Sequence, residues 1–150
     1  MATKINLSKF PLFKDLPEEL LDKVRALCDE ETYAQGESIF REGESADKLH
    51  FLLEGNVVLK VKLTSRPESV TVSAVNQQYE SFGWSGIVPP FHYTASAICE
   101  ADCKVMILSG EKFMGLLQDN PVAGFTVMQR LTELISSRLR TSRQGLLKTL

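Results

Sequence analysis

Phe82-Gly83-Trp84-Ser85-Gly86-Ile87-Val88-Pro89-Pro90-Phe91-His92-Tyr93-Thr94-Ala95-Ser96 is the stretch on which the reading of this chain turns. It opens on an aromatic–glycine pair, passes through small residues and a Pro-Pro step, and ends in a small, hydroxyl-bearing tail. Five of the chain's twelve aromatics (Tyr79, Phe82, Trp84, Phe91 and Tyr93) fall within fifteen residues around it. Between Tyr79 and Ile98 the sole formal charge is Glu80, and His92 is the one candidate cation in the segment. The stretch is rich in rings and poor in charge.

On either side of it the texture is that of short strands broken by turns. From Thr32 to Leu108, glycines at 36, 43 and 55 bound segments of β-branched and aromatic residues, the spacing of a sandwich or barrel. Val57 to Leu63 alternates in its second half, and Ser69 to Val75 sets Val70, Val72 and Ala74 against Ser and Thr, the pattern of half-buried strands. Arg66-Pro67-Glu68 joins them as a hairpin or loop. Thr94 to Ile98 and Lys104 to Leu108 form the last strands, connected through Glu100-Ala101-Asp102.

Helical periodicity flanks this β region. Pro17 to Cys28 predicts an amphipathic helix with a proline and two acids in its first turn, where a missing N–H costs nothing and negative charge meets the positive dipole end. Leu20, Leu21, Val24, Leu27 and Cys28 make its apolar stripe, and Phe10, Leu12 and Phe13 form an apolar lead-in. After Ser109-Gly110 a short helix covers Glu111 to Leu117. Asn120 then predicts an N-cap with Pro121 at the first helical position. The helix that follows, to about Gly145, carries Phe125, Met128, Leu131, Ile135 and Leu139 on one face, with Leu134 beside it.

Size and composition narrow the class. A chain of 150 residues suits one domain with a proper core, and 43% hydrophobic with 24% charged residues is the balance of a soluble globular protein. We read residues 1–150 as a single domain: N-terminal helix about 17–29, β region about 32–109, C-terminal helices about 110–145. A net charge of −2 offers no basic footprint for nucleic acid. No apolar run approaches a membrane span, and the first residues lack a signal peptide's apolar stretch. Three cysteines in apolar segments point to a reduced, cytoplasmic protein.

Two blocks of residues carry a resemblance to a known family. The first is Gly36-Glu37-Ser38-Ile39-Phe40, then Gly43, Asp47, Phe51, Leu53, Gly55 and Val57. The second is the Phe82–Ser96 stretch, followed by Asp102-Cys103-Lys104-Val105. In this order and spacing, over roughly residues 10 to 140, they resemble a cyclic-nucleotide-binding domain of the catabolite-activator and kinase-regulatory-subunit type. The resemblance implies a mainly β fold with flanking helices: a jelly-roll-like β-roll, a short N-terminal helix and C-terminal helices. It makes Phe82–Ser96 the phosphate-binding cassette, with Phe82, Gly83, Trp84, Ser85, Gly86, Tyr93, Thr94 and Ser96 as the candidate ligand-binding residues.

The chain departs from the family pattern at two positions. Trp84 stands where the ribose-binding Glu is expected, and Tyr93 where the phosphate-binding Arg is expected. Amides after Ser85 and Gly86 could still face an anion, as at a helix N-terminus. A charge-assisted hydrogen bond contributes roughly 1.5–3 kcal/mol. Losing two should therefore leave cyclic AMP and cyclic GMP bound weakly or not at all. The rings that replace the charges either suit a flatter, less charged ligand held by stacking and hydroxyls, or fill a pocket that binds nothing.

Other chemistry finds little support. His50 lies in an apolar strand and reads as a surface or satisfied residue. His92 offers a single ligand for haem, and neither histidine has the neighbours of a metal site. Cys99 and Cys103 read as buried strand cysteines rather than half a zinc site. No catalytic triad or carboxylate pair can be assembled, so no enzyme is expected. Arg138, Arg140 and Arg143 read as the solvated side and end of the last helix. With no helix-turn-helix after that helix, nucleic-acid binding in cis is not expected. We expect a stand-alone regulatory or sensor module acting on an unidentified effector protein, or alternatively a ligand-free interaction module. In either case a homodimer would form through Met128, Leu131, Ile135 and Leu139, although part of that stripe, Phe125 and Met128 above all, could pack back on the roll.

Overall fold

Two strands set the architecture because they are apolar on both faces. They are β3 (Lys48–Glu54) and β8 (Cys103–Ser109), hydrogen-bonded antiparallel to each other. In this computed structural model, which describes residues 5–148, each is covered twice. Leu49, Phe51 and Leu53 of β3 and Met106 and Leu108 of β8 meet a helical layer. Leu52 of β3 and Cys103, Val105 and Ile107 of β8 meet the opposite sheet. A strand buried on both sides reads as a continuous apolar run rather than an alternating one.

The remaining strands complete a two-sheet β-roll. One sheet runs β1 (Cys28–Tyr33), β8, β3, β6 (Ser81–Phe82); the other runs β2 (Ser38–Phe40), β7 (Ser96–Cys99), β4 (Val57–Lys62), β5 (Ser69–Val75). All pairings are antiparallel. A mainly β roll with a short N-terminal helix and C-terminal helices is the fold expected from the sequence, and the structure has it.

The helical layer comprises α1 (Glu18–Arg25), α2 (Gly110–Asp119) and α3 (Pro121–Lys148). The apolar lead-in packs beneath it as expected: Phe10 lies 5.4 Å and Phe13 5.1 Å from Phe51, centroid to centroid. Ser109 caps α2 by accepting from the Lys112 N–H (3.2 Å).

Four local expectations need correction. α1 stops at Arg25, and Cys28 is the first residue of β1, paired with Leu108. In β5, Ser73 and Val75 are buried while Val70 and Ala74 are exposed. The cause is a bulge: Leu59 pairs with Ser73 and Lys60 with Thr71, so Val72 is an extra residue that shifts the alternation by one. Asn120 turns its side chain backward, its Nδ2 donating to the Leu116 carbonyl (3.0 Å), while its own carbonyl accepts from Gly124 N–H (2.8 Å) to open α3. The buried side of α3 is Gly124, Val127, Leu131 and Arg138; Phe125 (71% exposed) and Leu139 (63%) face outward.

Candidate functional site

The cassette begins at the end of β6. Gly83 adopts a left-handed φ of +65°, and a Cβ there would lie 2.5 Å from His50 Nδ1 and 2.8 Å from the Phe40 ring. A 3-10 turn, Trp84–Ile87, follows. Gly86 presses directly on the Lys48 backbone, where a side chain would collide, and this pins the turn to the start of β3.

Within the roll, the space under the turn is occupied by rings. Tyr93 lies parallel over Phe40, with centroids 3.8 Å apart and planes 9° from parallel. Phe82 stacks 6.1 Å from Phe40, and His50 sits 5.0 Å from Phe40 and 5.3 Å from Phe82. Tyr93 is only 7% exposed. What remains open is a hollow of about 50 Å³ lined by Phe40, Leu59, Gly83, Trp84, Ser85, Tyr93, Thr94 and Ala95. Small-molecule sites usually offer ~300–1,000 Å³. A larger open groove of about 930 Å³ lies between the cassette tip and α2, along Lys48, Phe91 and Met114, away from these rings.

His50 corrects the expectation of a surface or satisfied residue. It is buried, and its Nδ1 has no hydrogen-bond partner. Burial pulls its pKa down to about 4, with Lys48 adding to the shift and the Gly83 backbone and Asp47 opposing it. The ring is therefore neutral at pH 7. Burial likewise pushes the Tyr93 hydroxyl up to about 12, with smaller contributions from Asp47 and Glu44. Tyr93, which lines the hollow, and His50, which packs against Phe40 behind it, are both uncharged at pH 7.

A buried cation packs against the cassette turn from elsewhere in the chain. Arg138 of α3, expected on a solvated face, is 8% exposed. Its Nη2 donates to Glu80 Oε2 (2.8 Å) and to the Ser81 carbonyl, and its guanidinium carbon lies 4.9 Å from the centroid of the Trp84 ring. Nε and Nη1 have no hydrogen-bond partner, leaving the indole face as their neighbour. Burial lowers the Arg138 pKa, and the bond and charge of Glu80 oppose this. One turn further on, Ser142 Oγ donates to the Val72 carbonyl (2.7 Å).

The five clustered aromatics thus separate into four places. Phe82 and Tyr93 face the interior of the roll, Trp84 faces α3, and Tyr79 stacks on Phe10 beneath the helical layer (4.5 Å). Phe91, at φ +62°, is 46% exposed at the cassette tip. Of the candidate ligand residues, Gly83, Trp84, Ser85, Tyr93 and Thr94 line the hollow. Phe82 and Gly86 build its frame, and Ser96 points away to accept from Glu42 N–H (2.9 Å). His92 is exposed, bridging Ser45 through its backbone. Sequence reasoning missed Phe40 and Leu59, which line the hollow, and His50 and Arg138, which pack beside the cassette. The parallel stacking partner of Tyr93 lies more than fifty residues upstream, and nothing local announces it.

Cys28, Cys99 and Cys103 are free and buried, and burial pushes the Cys28 and Cys99 thiols up to about 12, so they stay protonated. Among the described residues no three His, Cys, Asp or Glu side chains converge as metal ligands, and no helix is long and apolar enough to cross a membrane.

Comparison with known proteins matches residues 30–120 to the cyclic nucleotide-binding domain, well over half of the chain. The chain belongs to that family. It is 28% identical over 114 residues to a cGMP-dependent protein kinase of Caenorhabditis briggsae, covering 75% of this chain and 15% of the kinase. It is also 28% identical to a Geobacter metallireducens protein named for cyclic nucleotide binding, whose crystal structure superposes with a TM-score of 0.76 over 89% of this chain and 95% of that one. A cyclic nucleotide-binding domain from Methylobacillus flagellatus, 22% identical, shares the fold with a TM-score of 0.80 over 96% of this chain and 80% of that one. This chain therefore spans about 15% of the length of the kinase it matches, and the match is to a regulatory-type domain.

Proposed function

We propose that this domain is a regulatory module of the cyclic-nucleotide-binding fold whose cassette takes ordinary cyclic nucleotides weakly or not at all. The observation that carries this reading is the Tyr93–Phe40 stack, which leaves about 50 Å³ where a nucleotide needs several times more. Trp84 and Tyr93 in place of an acid and an arginine support it, since they offer no charge to a ribose hydroxyl or a cyclic phosphate. Calorimetric titration of cyclic AMP and cyclic GMP should give no saturable heat below the millimolar range; a low-micromolar constant for either would defeat the proposal. A thermal-shift screen with cyclic dinucleotides, adenine nucleotides and aromatic metabolites tests whether the ringed hollow opens for a flatter ligand.

The second reading is a ligand-free interaction or dimerisation module, and the outer face of α3 favours it. Val122, Phe125, Leu139 and Leu146 are exposed there, with Met128 and Ile135 half-buried at its margin. Phe125 and Leu139 are two heptads apart, and Met128 and Ile135 one, the repeat of a helix seam. Leu131 drops out of the expected interface because it is packed in its own core. In this reading a second copy pairs along α3, and an effector protein reads the helix. Light scattering at high concentration should return a dimer, reduced to monomer by Phe125→Glu with Leu139→Glu. Three free, buried thiols are in keeping with a reducing, cytoplasmic setting.

A further inference from the structure

A hollow of about 540 Å³ opens between the apolar lead-in, the turn that joins β5 to β6, and α3. That volume lies within the ~300–1,000 Å³ of small-molecule sites, against about 50 Å³ at the cassette, and the two hollows share no lining residue. Leu12, Tyr79 and Leu134 supply its apolar walls. Tyr79 sits there at φ +72°, a region bulky side chains rarely enter, and such strain persists only where the surroundings over-determine it. The Phe10 ring, 4.5 Å away, and the Leu52 carbonyl, which accepts from the Tyr79 N–H (2.6 Å), hold it in place.

The polar lining carries two charges of opposite sign with no ionic partner among the described residues. Half-buried Arg130 directs Nη1 to the Leu12 and Lys14 carbonyls, which fixes its guanidinium without neutralising it. Nε and Nη2 remain, the edge of the fork that pairs side-on with a carboxylate. Exposed Glu133 stands one turn along the same helix, at a neighbour spacing of about 5–6 Å between Cβ atoms. Glu80, the third charged group of the lining, is already balanced by Arg138 (2.8 Å).

We propose that this hollow is a second ligand site, built for a small apolar or aromatic α-amino acid: its carboxylate on the remaining edge of Arg130, its ammonium on Glu133, its side chain among Leu12, Tyr79 and Leu134. Charge decides against the alternatives. A phosphate or nucleotide would face two carboxylates for one guanidinium, and a simple amine would face the guanidinium. A zwitterion answers both unpaired charges at once. The exposed Gln77 and Gln78 amides, which both donate and accept, complete the polar lining. The site goes beyond the cassette and does not depend on what the cassette takes.

Calorimetric titration of L-phenylalanine and L-leucine into the full chain tests it, with 3-phenylpropanoate and phenethylamine as controls that each lack one ionic group. At least one amino acid should bind saturably, and each control about tenfold or more weaker, the loss of one charge-assisted hydrogen bond. Glu133→Gln and Arg130→Gln should each weaken the amino acid by a similar factor, while the exposed control Arg140→Gln should leave it unchanged. If Arg130→Gln folds poorly because the lead-in loses its tie, the exposed Glu133→Gln carries the test. No saturable heat from either amino acid up to ~10 mM, a control binding as tightly as the amino acid, or wild-type affinity in Glu133→Gln would overturn the site. Tyr93→Ala, which opens the cassette, should not alter this affinity; a loss confined to that variant would put the ligand in the cassette and overturn the site as well. Low-micromolar binding of cyclic AMP with the amino-acid response intact would sink the proposed function and leave this site standing.

Discussion

At Gly55 an added Cβ would come within 2.6 Å of the Asp102 carbonyl and Cys103 Sγ; at Gly83 it would come within 2.5 Å of His50 Nδ1. Both positions also require positive φ, +103° and +65°. The turn at Gly55 and the cassette at Gly83 are thus built by the same backbone device, and both match the family pattern. They differ in what surrounds the device. Around Gly55 everything serves the sheet. Around Gly83 the neighbouring positions 84 and 93, where the family pattern has charges, hold rings that pack inward or against α3. In the proposed reading, backbone geometry fixes the shape of the cassette, whereas side chains at two positions decide what fits it, and the second can change while the first stays.

That comparison breaks most visibly at the backbone. Gly55→Ala should destabilise the roll by at least about 3 kcal/mol, through a φ that only glycine adopts readily and a collision with backbone. Gly83→Ala should cost less, about 2 kcal/mol, because its obstacles are side chains that yield. Urea denaturation of both variants checks the order; equal effects would mean the cassette is as rigidly determined as the turn.

The buried imidazole sharpens the cassette side. His50 has a folded pKa of about 4 against an ordinary 6.5, so the unfolded chain binds the extra proton between those values. Stability should therefore be full above pH 6.5, fall as pH drops toward 4, and level off below, by up to about 3 kcal/mol in total. Subtracting the pH profile of His50→Gln from that of wild type isolates this part from the carboxylates. A flat difference would place His50 in contact with water.

Ring and hydroxyl separate next. Tyr93→Ala should lower stability by about 3 kcal/mol, as expected for a buried aromatic, while Tyr93→Phe should change it by less than ~0.5 kcal/mol, since the stack on Phe40 survives. Comparable losses in the two variants would mean that the hydroxyl, not the ring, occupies the site.

The β-roll was legible because glycine-bounded apolar segments leave few alternatives, and the order of two motifs named the family. Where the reading failed, a local pattern had two solutions. Cys28 fits the helical stripe of α1 and the first position of β1 equally well, and pairing with Leu108 decides. Ser69–Val75 alternates cleanly until the bulge at Val72 shifts its phase. On α3, apolar residues cover more than one face. The signal that marks the buried side is Gly124, where a Cβ would meet the Leu117 carbonyl at 2.7 Å. Arg138 was the least legible residue of all. An arginine between two leucine-bearing turns reads as solvent-facing, and its partner Glu80 lies 58 residues away in sequence. Long-range polar pairing leaves no periodic trace.

The central claim is that rings at 84 and 93, not a change of fold, close the cassette. Titrating cyclic AMP into wild type and into the Trp84→Glu, Tyr93→Arg double variant tests it most directly. We predict no saturable binding to wild type below millimolar, and at least a tenfold gain in the variant, the return of one or two charge-assisted hydrogen bonds at ~1.5–3 kcal/mol each. Low-micromolar binding to wild type, or a variant that folds and gains nothing, would contradict it.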